Sequence, residues 1–138
     1  MLLRILSVAF LMALPSGIQT PDVSEKGSRT PAQQKINSQL LFEIYRLRGE
    51  AERKGVPPGP TGVKMDQRGR ALVDVRAAVT PSLQRRIRQL GGLIVSSSAL
   101  HQSVVARIPL LKLEALASDP MVRFIEPAAE PITNRPPM

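Results

Sequence analysis

Residues 70–126 read RALVDVRAAVTPSLQRRIRQLGGLIVSSSALHQSVVARIPLLKLEALASDPMVRFIE, and their periodicity decides the fold. In the opening RALVDVRAA, Val73, Val75 and Ala77 fall on one side and Asp74 and Arg76 on the other. That alternation predicts a half-buried strand over 70–78. Thr80-Pro81 then supplies an N-cap followed by proline at the first helical position. Leu83, Ile87 and Leu90 form an apolar stripe, Arg85, Arg86 and Arg88 face outward, and Gly91-Gly92 stops the helix. A second strand is expected over 93–97 and a polar connection over 98–103. A third strand, 104–108, puts Val104, Ala106 and Ile108 on one face. Pro109 opens a second helix carrying Leu110, Leu113, Leu116 and Ala117, closed by Ser118-Asp119-Pro120. The last strand, 121–126, places Val122 and Phe124 on one face and Arg123 and Ile125 on the other.

The predicted order is therefore β-α-β-β-α-β, an α+β pattern. Right-handed crossovers fold it into a ferredoxin-like sandwich: a four-stranded antiparallel sheet with both helices on one face. The two halves echo one another, each a strand, a short proline-initiated helix and a strand.

Working outward, residues 56–69 form a Pro/Gly-rich linker or hairpin, in which DQRG at 66–69 turns 63–65 back onto the first strand. Residues 33–55 carry Ile36, Leu40, Leu41, Ile44 and Leu47 at spacings of three and four, an amphipathic helix weakened at Gly49 and ended by Gly55. Such a helix can pack on the following domain, on a partner or on a membrane surface. Glu43, Glu50 and Glu52 dilute any basic face and favour packing. Residues 21–32 read as a polar linker and 127–138, with four prolines, as an extended mobile tail.

Residues 1–20 read as a signal peptide: Arg4, an apolar run over 5–14, then Pro15, Ser16 and Gly17. A buried N-terminal helix is the competing reading. The run is too short for a membrane span, which needs about 20 residues. The expected location is secreted or periplasmic, with cleavage between Ser16 and Thr20 and no membrane span afterwards.

With 138 residues, the chain has room for one ordinary domain and its tails. It has no Cys and a single His, His101, so Cys-based redox or metal sites and multi-His zinc motifs are excluded. The net charge of +8 admits nucleic acid, anionic surfaces or acidic partners. Nucleic acid fits poorly, because aromatics are only 3% of residues and base stacking needs them beside the arginines.

The stretch 104–130, VVARIPLLKLEALASDPMVRFIEPAAE, resembles the end of subtilase propeptides, the chaperone and inhibitor domains of subtilisin-like serine proteases. Leu113 and Leu116, Asp119-Pro120, Val122, Phe124, Ile125 and Glu126 stand where that family has its core stripe, Asp-Pro-x-Val and aromatic strand ending in Glu. The likeness extends over about 70–132. It implies a sheet that packs on two surface helices of the protease and a tail that lies in the substrate cleft. Carried over by position, the protease-facing residues are Leu72, Asp74, Arg76, Val105, Arg107, Arg123 and Ile125 on the sheet. Glu126, Pro127, Ala128, Ala129 and Glu130 follow in the tail, which runs from Ile125 to Ile132. Pro127 and Pro131 depart from a cleft-bound strand, since each lacks a backbone donor.

No catalytic chemistry is expected. His101 sits in a polar loop beside Ser98 and Ser103, without the orienting acid and oxyanion hole that a triad requires. No phosphate-binding glycine loop, cofactor site or metal site is expected. The sequence thus predicts a secreted non-catalytic module that binds, inhibits or assists the folding of a subtilisin-like protease. The alternatives are a truncated N-terminal fragment of a secreted subtilase, or a basic secreted module for anionic surfaces.

Overall fold

The computed structural model describes residues 25–130, so the expected signal peptide and the tail beyond Glu130 lie outside the described residues. The fold is α+β, with helices α1 (Pro31–Gln34), α2 (Ser38–Leu47), α3 (Pro81–Gln89) and α4 (Leu113–Ala117). One antiparallel sheet is formed by β1 (Arg70–Ala77), β2 (Leu93–Ser98), β3 (Ser103–Pro109) and β4 (Val122–Pro127). Its spatial order is β2-β3-β1-β4, so the first and last strands lie side by side at one end.

The sequence signals explain most element boundaries. Thr80 Oγ1 accepts from the Leu83 amide at 3.1 Å, and Pro81 begins α3 without wasting a donor. At the other end, the Gly91 amide donates to Arg88 and the Gly92 amide to Ile87, closing the helix with Gly91 at φ 87°. Gly92 is needed for space: a Cβ there would lie 2.6 Å from Ile87 Cγ2. The turn before β1 is tied by Asp66, whose carboxylate accepts from the Arg68 and Arg70 amides and from Arg70 Nε. Those bonds, led by the one from the Arg70 backbone, hold the Asp66 carboxyl below its usual range. Met65 pairs with Ala71 in a single antiparallel bridge, the expected hairpin in its shortest form.

The segment before the sheet departs from expectation. The helix expected over 33–55 is broken: α1 ends at Gln34, Lys35 caps it in the right-handed helical region, Ile36 bridges Ile125 of β4, and α2 spans only Ser38–Leu47. Asn37 is the reason, its side chain capping α2 at the Gln39 amide. Gly49, at φ 70°, ends α2, with its amide bonded to Arg46 and the Glu50 amide to Tyr45. Within the polar stretch expected as a linker, the described residues 25–32 form a 3-10 turn over Glu25–Ser28 and the start of α1. There Arg29 grips both carboxylate oxygens of Glu25 at 2.7 and 2.8 Å, and Thr30 and Gln33 form a capping box.

This N-terminal arm belongs to the core. Ile36, Leu40, Leu41, Ile44 and Tyr45 are buried in one cluster with Val73, Val75, Val104, Ile108, Leu113 and Leu116. Leu47, expected on the buried stripe, is 48% exposed because α2 ends there. Polar bonds fasten the arm to α4: Gln33 Nε2 donates to Glu114 at 3.1 Å and Arg48 Nη1 to the same carboxylate at 2.8 Å. The Tyr45 hydroxyl lies 3.4 Å from Glu25, and its burial, reinforced by the Glu25 charge, pushes its pKa up to about 12.

Candidate functional site: the uncovered face of the sheet

One face of the sheet carries the core and the other is uncovered. The registers place three outward rows across four strands. Leu93, Arg107 and Leu72 form the first, with Ser96, Val105, Asp74 and Glu126 next and Ser98, Ser103, Arg76 and Phe124 last. The face is thus apolar at Leu93, Leu72, Val105 and Phe124, with a charged cluster among them.

The cluster has one cation for two anions. Arg76 donates to Glu126 Oε1 at 3.0 and 3.2 Å, and its guanidinium lies 3.3 Å from Asp74 Oδ2. Ser103 Oγ donates to Asp74 Oδ1 at 2.5 Å, fixing that carboxylate from the next strand. The Arg76 side chain is 44% exposed, so such pairs contribute little stability, about 0–1 kcal/mol each. Their effect is to orient acceptors: the Asp74 and Glu126 carboxylates are fixed in place by one guanidinium and the Ser103 hydroxyl. Arg107, one row away, has no ion-pair partner among the described residues.

Most residues expected at an interface are where the alternation puts them. Leu72, Asp74, Val105, Arg107 and Glu126 are half-buried on this face, and Arg76 is exposed. Ile125 is not there; it is fully buried in the core opposite Val75. A register shift between Arg76 and Ala77 makes Arg123 the extra residue, and the parity of β4 changes at that point. Val122 and Ile125 consequently face the core, while Phe124, expected beside Val122, faces outward with Glu126. Arg123 is exposed at the bulge. Leu93, Ser96, Ser98, Ser103 and Phe124 are the members of the face that the sequence pattern misses.

The tail begins as part of the sheet. β4 ends at Pro127, and the Ala128 amide donates to the Leu72 carbonyl at 3.0 Å. The next position along that side of β1 is taken by Met65 bridging Ala71, so the chain leaves the sheet after Ala128. Ala129 and Glu130 are exposed, and Glu130 lies 3.8 Å from Lys64 Nζ. A cleft of about 220 Å³ lies beneath, lined by Gln39, Leu40, Val63, Leu72 and Ala128 among others.

His101 is exposed in the β2–β3 turn, its amide bonded to Ser98 Oγ at 3.2 Å. Among the described residues, no three His, Cys, Asp or Glu side chains converge to hold a metal ion. No helix of the described residues is long and apolar enough to cross a membrane. Comparison with known proteins finds no matching protein family, no matching curated protein and no matching solved structure.

Proposed function

We propose that this chain is a secreted, non-catalytic, propeptide-like module that binds a subtilisin-like serine protease, inhibiting it or assisting its folding. The observation that carries this reading is the uncovered sheet face, with the tail leaving the sheet at its β1–β4 end. In this proposal the sheet, ordered β2-β3-β1-β4, is a ferredoxin-like sandwich that uses its helix-free side for recognition.

The chemistry of the face suits paired helices on a partner. Leu72, Val105 and Phe124 supply apolar contact, and the carboxylates of Asp74 and Glu126 complement the positive N-terminal ends of helices. Ile125 contributes indirectly, by holding β4 on the core. The cleft-bound segment starts after Ala128, because Pro127 and Ala128 are engaged with β1. In this proposal the tail then pairs with the protease through its main chain.

The test is hydrogen exchange of the purified chain with and without an active-site-blocked subtilisin. Protection added at 72–76, 103–107 and 124–126 supports the proposal. Complex formation that protects only other segments, or no complex, counts against it.

A further inference from the structure

We infer that the β2 edge is a second interaction site, which takes an extended acidic peptide segment as an added strand. It is independent of the protease reading, which uses the face and the tail.

The two margins of the sheet differ. On the β4 side, the Ile125 amide donates to Lys35 O and the Asn37 amide to Ile125 O, both at 2.8 Å, so the edge is closed by the chain itself. On the β2 side no described segment pairs beyond Leu93–Ser98. Edge strands are ordinarily blunted with charge, proline or a bulge. β2 reads LIVSSS, with no charge and no proline, and carries one bulge, at Val95; Leu93 and Val95 are 53% and 55% exposed.

Charge selects the occupant. Residues 77–113 contain Arg85, Arg86, Arg88, Arg107 and Lys112 and no Asp or Glu. None of these five cations has an ion-pair partner among the described residues. α3, which exposes three of them, packs against β2, so the open edge is backed by an uncompensated basic helix. A second copy of this chain would bring the same arginines to the same margin and be repelled. Residues 131–138 hold three prolines, an arginine and no acid, so the chain's own tail does not fit either. An acidic partner in extended form satisfies both the backbone groups and the charge.

The probe is a fluorescent alternating Glu-Val peptide about eight residues long, near the length of an ordinary strand. The full chain is expected to bind it, with added exchange protection at 93–98 and affinity that weakens with salt. The Lys-Val counterpart is expected not to bind. Changing Arg85, Arg86 and Arg88 together to Gln is expected to weaken binding by about tenfold or more while β1 keeps its exchange protection. The inference is overturned if the Glu-Val peptide does not bind or binds without protecting 93–98. Tighter binding to anionic phospholipid vesicles, with those amides left unprotected, also overturns it.

Discussion

Ile36 lies beside Ile125 in a parallel bridge, and through that contact the N-terminal arm closes the edge of the sheet that the last strand would otherwise leave open. Both side chains are buried in the common core, at 1% and 0% exposure. The arm therefore stabilises the element from which the tail departs. Ile36→Ala is expected to destabilise the protein by about 2–4 kcal/mol, from lost burial and the cavity left behind. Urea unfolding followed by circular dichroism measures this, and a change below about 0.5 kcal/mol would show that the arm is dispensable.

Phe124 and Ile125 are adjacent in sequence and opposite in role. Ile125→Ala is expected to cost about 2–5 kcal/mol of stability. Phe124→Ala leaves the core intact and removes an apolar contact from the face proposed for recognition, so it is expected to weaken protease binding by about tenfold or more with a much smaller change in stability. Paired unfolding and binding titrations check the split; the reverse assignment would refute the register described for β4.

Gly92 is fixed by close approach. A methyl group there meets Ile87 Cγ2 at 2.6 Å and Ile87 O at 2.8 Å. Gly92→Ala is expected to destabilise by about 1–3 kcal/mol by forcing α3 away from β2. Thermal unfolding of the variant gives the answer directly.

The only tyrosine, Tyr45, provides a clean spectroscopic titration. Its hydroxyl is raised to about 12 by burial first and by Glu25 next, so phenolate absorbance should rise well above the ordinary midpoint near 10. The folded state then holds a proton that the unfolded state releases. This contribution is fully present below pH about 10 and is lost as pH rises from there toward 12. A Tyr45 midpoint near 10 in the folded protein would contradict the burial.

Much of this was legible in the sequence because local signals and burial agree there. The alternation of β1, the Thr80-Pro81 start and the Gly91-Gly92 stop match the fold, and Leu110, Leu113 and Leu116 are buried as expected, although Pro109 ends β3, 110–112 form a 3-10 turn and α4 starts only at Leu113. Two features were hidden for physical reasons. Ile36 keeps helical spacing with Leu40 and Ile44 although it bridges β4 between two helices, so periodicity runs through the break; Asn37 was the available signal. In β4, one bulged residue changes the facing of all that follow, and strict alternation therefore misplaces Phe124 and Ile125. The charged cluster is only partly visible in a linear pattern, since Asp74, Arg76, Ser103 and Glu126 meet across three strands.

The most direct measurement is the residual activity of a subtilisin mixed with the purified chain, using a chromogenic peptide substrate. The account predicts loss of activity at micromolar chain, relieved by Phe124→Ala. Full activity at that concentration, together with no gain in the yield of refolded protease, would contradict it.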